Sequence, residues 1–275
     1  ELRLPEVADE PFELPGWPDV LPRLPLPLDI RSARVDVHGF EAWRGGQPLV
    51  SLDSLSARGV HLVDEGFTMA SLEATGDPGT LRLQGEYRPA RDFRSALTAS
   101  WSREAGEQRP AAELQLSLQG RLDDLRLEVD GRLPGPLQLR ATVQGDGDAP
   151  RWSLAASADE LAPAWLGAAP GEPLFLDLEA SGTGGEASVS GRLGQGDRSL
   201  QLAPSRLSLA NDVLRFDPLE LVLDAGTLRL TGEVRLADEL PFDLRASSES
   251  LRLPATSPGA PAVVARGEAR VQGIA

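Results

Sequence analysis

A short unit returns along this chain: two apolar residues at alternate positions, then a glycine in the same phase, then another apolar residue. Leu81-Arg82-Leu83-Gln84-Gly85-Glu86-Tyr87 is one copy, and Leu116-Ser117-Leu118-Gln119-Gly120-Arg121-Leu122 is a second. Leu228-Arg229-Leu230-Thr231-Gly232-Glu233-Val234 is a third, with shorter forms at Val129–Leu133 and Val189–Leu193. Successive side chains of a strand point to opposite faces, so this period of two predicts strands with one apolar and one wet face. The glycine falls on the apolar face each time, where it leaves room for a neighbour or lets the strand bend. The pattern predicts an all-β chain: one long, curved, one-sided sheet built from degenerate repeats.

Composition narrows the alternatives. The 275 residues are 41% hydrophobic but only 5% aromatic, so any apolar surface is mostly Leu, Val and Ala. With 28 glycines and 23 prolines, turns are frequent and long helices are not expected. The formal net charge is −15 and all 27 basic residues are arginine. These arginines alternate with leucines, as in Leu125-Arg126-Leu127, and do not cluster into a patch. A chain of this charge is repelled by nucleic acid and by anionic lipid surfaces, so no nucleic-acid partner is expected. There is no cysteine, which excludes disulfides and thiol chemistry. No stretch approaches the ~18 uninterrupted apolar residues of a spanning helix. The chain opens at Glu1 and its one methionine is Met69, so it is expected to be an internal segment of a longer protein.

Residues 1–28 hold seven prolines and no sustained alternation, and predict an extended entry segment with Trp17 as an anchor. Residues 29–253 predict continuous repetitive sheet, weakest at 88–112 and 146–173. Residues 254–275 predict a loop and one more strand. Turns are expected at Gly45-Gly46, Asp123-Asp124, Pro134-Gly135-Pro136, Gly182–Gly185 and Ala225-Gly226. One short helix is expected near 157–166: Ser157 as N-cap, Asp159 and Glu160 in the first turn, and Leu161, Trp165 and Leu166 on one face. Such an element would pack over a sheet edge, or narrow the apolar face. Turn signals every 8–12 residues imply on the order of 20 strands, ~90 Å at ~4.8 Å each.

Residues able to do chemistry are few. His38 and His61 lie near Asp36 and Asp64, but no third ligand completes a zinc site. Gly145-Asp146-Gly147-Asp148 lacks the distal glutamate of a calcium loop and is read as a hairpin turn. There is no nucleophile elbow, P-loop or dinucleotide fingerprint. No catalytic residue, metal or cofactor is expected.

The stretch Leu26-Pro27-Leu28-Asp29-Ile30-Arg31-Ser32-Ala33-Arg34-Val35-Asp36-Val37-His38-Gly39, with Arg44–Leu52 after it, resembles recurring segments of the bacterial TamB proteins of the AsmA-like superfamily. Ser205–Leu221, closing with Gly226–Gly232, is similar again. The likeness is one of pattern and covers most of residues 26–253. It implies an elongated "β-taco" sheet with an apolar groove. It also implies a periplasmic place in a Gram-negative bacterium, with an inner-membrane anchor outside this segment. The implied cargo is phospholipid, moved by its acyl chains between inner and outer membrane. The implied partner, through parts outside this segment, is an outer-membrane barrel protein of the TamA type.

On that resemblance the groove lining is Leu81, Leu83, Leu116, Leu118, Leu122, Leu125, Leu127, Leu137, Leu139, Leu176, Leu178, Leu207, Leu209, Leu228, Leu230 and Val234, all hydrophobic contacts. Spacing alone leaves the closed core of a sandwich or barrel open. The alternative function is a periplasmic scaffold for outer-membrane proteins, whose strand edges pair with client strands.

Overall fold

The computed structural model describes residues 2–4, 29–44, 47–63, 66–77, 79–88, 94–106, 110–145, 149–166, 171–236, 241–253 and 263–274. The strands are β1 (Leu2–Leu4), β2 (Ile30–Arg44), β3 (Gln47–Val63), β4 (Gly66–Gly76), β5 (Gly79–Tyr87) and β6 (Ser95–Arg103). They continue as β7 (Ala112–Arg121), β8 (Asp124–Arg132), β9 (Pro136–Gln144), β10 (Arg151–Leu161), β11 (Leu174–Thr183) and β12 (Glu186–Gln195). The last five are β13 (Arg198–Ala210), β14 (Val213–Leu223), β15 (Gly226–Arg235), β16 (Pro241–Leu253) and β17 (Val263–Ile274). From β2 to β17 every strand pairs antiparallel with the next, in one sixteen-stranded meander that does not close into a barrel. β1 lies parallel beside the end of β2, from Leu2 opposite Ala42 to Leu4 opposite Arg44. The all-β, curved, repetitive sheet expected from the alternation is the fold observed.

Fewer strands form than the turn signals imply, because some glycines and prolines sit inside strands. Gly39 (φ +63°) and Gly59 (φ +57°) are kinks within the long strands β2 and β3. Pro204 and Pro218 lie in β13 and β14, where the pairing lapses between Leu202–Leu221 and Arg206–Asp217. Proline offers no ladder hydrogen. Ser205 partly mends the gap: the Glu220 backbone N–H donates to its Oγ at 3.2 Å. The turn at Asn211 (φ 50°) and Asp212 (φ 59°) has the two left-handed residues of a type I′ hairpin. Gly45-Gly46, the entry segment with Trp17 apart from Leu2–Leu4, Asp64 and residues 146–148 lie outside the described residues.

Among the described residues no second layer covers this sheet, and strands pack only on the strands beside them in sequence. The accessible surface is 18083 Å², against roughly 11,500 Å² for a compact chain of this mass. Buried apolar side chains are scattered along the sheet, among them Val60, Leu122, Leu161 and Val213. One cluster gathers Tyr87, Leu118 and Leu125, with Phe67, Leu97, Leu116, Leu127 and Val143 half-buried around them. Every member is a neighbour of another across the β4–β9 ladder.

The helix expected near 157–166 is corrected. Residues 157–161 belong to β10, with Ser157 between Gln138 and Asp177 and Ala158 between Leu137 and Leu176. The alternation Trp152, Leu154, Ala156, Ala158 outweighs the local cap, since paired strands on both sides satisfy the backbone and a helix of two turns does not stabilise itself. β10 bulges between Ala158 and Leu161, with Glu160 at φ 55°. Only Pro163–Leu166 turns helically, as a four-residue 3-10 element.

The repeat glycines have a specific task. Gly85 and Gly120 stand at φ +119° and +117°. A Cβ on Gly85 would lie 2.0 Å from the Ala96 carbonyl oxygen, and one on Gly120 would lie 1.9 Å from that of Asp124. The next strand's backbone passes where a side chain would be. Gly120→Ala is therefore expected to destabilise the fold by about 1–3 kcal/mol, read by denaturant unfolding. Gly106→Ala, where a Cβ meets nothing within 4 Å, is expected to leave the midpoint unchanged. Equal stability of the two variants contradicts this account of the repeat.

Candidate functional site: one apolar face

Cross-strand register assembles the apolar positions into rows. One row runs Gly85, Leu97, Leu118, Leu127, Ala141, Leu154, Ala180 and Val189, from β5 to β12. Beside it stand Leu83, Ala99, Leu116, Val129, Leu139, Ala156, Leu178, Gly191 and Leu202. A third row holds Leu81, Trp101, Leu114, Gly131, Leu137, Ala158, Leu176, Leu193 and Leu200. Further along, Leu207, Phe216, Gly232, Leu244 and Val271 line up from β13 to β17. Leu209, Leu214, Val234 and Phe242 form the row next to them. Leu228 opposes Leu221, and Leu230 lies between Leu219 and Ala246.

Fifteen of the sixteen residues expected as lining thus share one strand face, Leu125 among them opposite Gly120 and Val143. The sixteenth, Leu122, sits in the β7–β8 turn and is buried. Leu118 and Leu125 are buried, and the others are half-buried. Leu193 and Val271 on the same face are exposed, whereas the exposed Val264, opposite Arg252, lies on the polar face.

Aromatic members of this face were missed by reading repeats alone. Trp152 lies opposite Gly182, Phe216 opposite Gly232 and Phe242 opposite Gly273. The ring fills the space above the glycine: the Trp152 ring lies 2.9 Å from where a Gly182 Cβ would be, and the Phe242 ring 3.0 Å from that of Gly273. Phe67 and Tyr87 pack at 5.8 Å between centroids. Register, not local sequence, brings these pairs together. A glycine and an aromatic in the same phase of adjacent strands is the available signal.

The 3-10 element makes the one described contact across non-adjacent strands. After β10 the chain turns back over the β8–β9 loop: Leu161 bridges Pro134, and the Ala162 N–H donates to the Leu133 carbonyl at 3.0 Å. Trp165 then meets Trp101 of β6 edge-on, 5.6 Å between ring centroids. Trp165 therefore stands against the third row at Trp101.

The opposite face is polar, and the hollows found among the described residues lie on this face, not on the leucine rows. A hollow of about 700 Å³ crosses β3–β8, lined by Arg58, Glu73, Arg82, Gln84, Ser100, Glu128 and neighbours. Exposed ion pairs run along this face, including Arg82–Glu73 at 3.1 Å, Arg229–Glu220 at 3.2 Å and Arg215–Glu233 at 3.2 Å. Such solvated pairs set register more than stability. His61 Nε2 is 3.0 Å from Asp29 Oδ1. Asp36 pairs with Arg34 and accepts from Ser56. Among the described residues no three His, Asp or Glu side chains converge as metal ligands, and no helix is long and apolar enough to cross a membrane.

Asp243 is the most perturbed acid on this face. The Arg270 guanidinium beside it, aided by Gln272 and Arg245, lowers its carboxyl from an ordinary 3.8 to about 2. No family model, curated protein or solved structure matches this chain.

Two measurements follow from this geometry. A depressed carboxylate stabilises the fold above its unfolded value and loses that contribution as pH falls through the folded one. The Asp243 carboxyl resonance should therefore titrate near 2, and move toward 3.8 in Arg270→Ala. An unchanged midpoint in that variant would remove Arg270 as the cause. Trp165→Ala should abolish the far-UV exciton couplet of the Trp101–Trp165 pair and cost about 1 kcal/mol beyond lost burial. Trp152→Ala should keep the couplet.

Proposed function

We propose that this chain is a segment of a periplasmic lipid conduit of the TamB and AsmA-like kind that its repeats resemble. Phospholipid acyl chains lie along the apolar face and move between inner and outer membrane without catalysis. The observation that supports this reading is the continuity of the apolar rows from β5 to β17, with no second layer above them among the described residues. A one-sided sheet needs something apolar against that face, be it a second sheet, helices or a ligand. Acyl chains suit a surface of Leu, Val, Ala and Gly, which offers contact and no directed polar partner.

The energetics favour transit over capture. Each methylene fully removed from water returns ~0.8 kcal/mol, and one laid on an open face returns a fraction of that. The gain is similar at each successive row, so a chain slides without meeting a deep well. Headgroups stay in water, away from the leucines. Direction, in this reading, is set elsewhere, by an inner-membrane anchor and by an outer-membrane partner of the TamA type, both outside this segment. Nothing in the transfer requires a bond to be made or broken, so no catalytic residue is assigned.

Photo-crosslinking side chains at Leu139 and Leu230, compared with the adjacent positions Arg140 and Arg229, test the proposal directly. With vesicles of phosphatidylethanolamine and phosphatidylglycerol, lipid adducts should form at the leucine positions at least tenfold more than at the arginine positions. Equal labelling of the two faces, or labelling of neither, overturns the proposal.

A further inference from the structure

Burial on the apolar face runs in an inverted order between β5 and β10. A second layer over a sheet buries the centres of its strands and leaves the ends to turns and solvent. Here the buried apolar side chains stand mostly at the strand ends. Tyr87, Leu122 and Leu125 seal one margin, and Ala112, Ala158 and Leu161 seal the other. The two middle rows, from Leu83 to Ala156 and from Gly85 to Leu154, are half open, with Leu118 alone buried among them.

A strap of chain closes the second margin. Leu161 bridges Pro134, and the Ala162 N–H reaches the Leu133 carbonyl. The chain then passes the buried Pro163 to Trp165, whose ring meets Trp101 of β6. The strap thus links β10 to β6 beside the row of Leu81, Trp101, Leu114, Gly131, Leu137 and Ala158. That row is low where the strap leaves β10, since Gly131 has no side chain and Ala158 only a methyl. Four strand spacings of ~4.8 Å give the strap a reach of ~19 Å. One acyl chain is similar, at half of a bilayer's ~30 Å hydrocarbon core. The hollows found among the described residues lie on the other face. What steers an apolar ligand here is therefore the contrast between open rows and sealed margins, not depth.

We infer that Pro163–Leu166 is a positioning element for lipid: Trp165 walls off the row of Leu81 and Trp101 and confines acyl chains to the two middle rows. The inference rests on the lipid reading above and adds which leucines the lipid touches. Leu116 and Leu139 belong to the open lane. Leu114 and Leu137, two residues away on the same strands and the same face, lie behind the wall. An indole suits this task, because it offers a broad, rigid apolar flank that turns on two torsions, and its edge-on partner Trp101 holds it in place. The opposite margin needs no strap, since the β7–β8 turn brings Leu122 over it beside Leu125.

Vesicles of phosphatidylethanolamine and phosphatidylglycerol whose acyl chains carry a diazirine probe the full chain without any substitution, with adducts mapped to residues by mass spectrometry. Irradiation should place adducts on Leu116 and Leu139 at least tenfold more often than on Leu114 and Leu137. Trp165→Ala should raise labelling of Leu114 and Leu137 to the level of the other pair, and Trp165→Phe should keep the tenfold preference. Equal labelling of the two pairs in the unsubstituted chain overturns the inference and leaves the lipid reading standing. A preference that Trp165→Ala leaves unchanged does the same, because the strap then only ties β10 to β6. Adducts on none of the four leucines overturn the lipid reading and this inference with it. The comparison within the unsubstituted chain keeps the test valid if the Trp165→Ala chain folds poorly.

Discussion

The antiparallel ladder between sequence neighbours carries nearly everything in this molecule. Each described strand from β2 to β16 is held by the strand before it and the strand after it. Among the described residues no central core joins distant parts, so their stability is close to a sum of nearest-neighbour terms, as in repeat proteins. Local damage then stays local: a weakened hairpin costs its own two interfaces and leaves the far end of the sheet intact. The Trp101–Trp165 contact departs from this scheme by tying the end of β10 to β6. It stands where the chain leaves β10 and returns at β11, a connection with no tight hairpin to hold it.

A one-sided sheet of this length exposes a conflict between its two faces. The polar face satisfies itself through arginine–carboxylate pairs in water, and the negative excess keeps chains apart. The apolar face has no such solution. Its leucines bury one another along the rows, yet most remain half open, with no second layer against them among the described residues. Burying the open half would return about 25 cal/mol for each Å² removed from water. That unclaimed free energy is why an apolar occupant is the natural reading, and why the occupant need not be recognised by polar groups.

The fold was largely legible because a period of two, repeated with glycine in phase, admits few alternatives. Alternation placed fifteen of the lining residues on one face, and register could have done nothing else with them. What failed to be legible depends on neighbours distant in sequence. Ser157, Asp159 and Glu160 look like a helix start when read alone; the strands on both sides of β10 decide otherwise. Gly39 and Gly59, which no alternation pattern marks out, are kinks inside long strands. Trp152, Phe216 and Phe242 belong to the face through the glycines opposite them, and no local pattern announces that pairing. Whether the face is covered was also invisible, since spacing alone describes a sandwich interior equally well.

Glycine resolves a requirement that leucine cannot meet. A long sheet that bends must bring one strand's carbonyl close to the next strand's Cα, and at Gly85, Gly120 and Gly232 any Cβ would stand in the way. Removing side chains at those points would leave gaps in the apolar rows. At Gly232 the gap faces Phe216, and at Gly182 and Gly273 it faces Trp152 and Phe242, whose rings reach across. The bend is thus supplied by one strand and the missing surface by its neighbour. Curvature and continuity become separable, and degenerate repeats can keep an unbroken apolar face while the path of the sheet changes. A stricter repeat, with glycine in phase on every strand, would bend more evenly but would lose the rings that close its gaps.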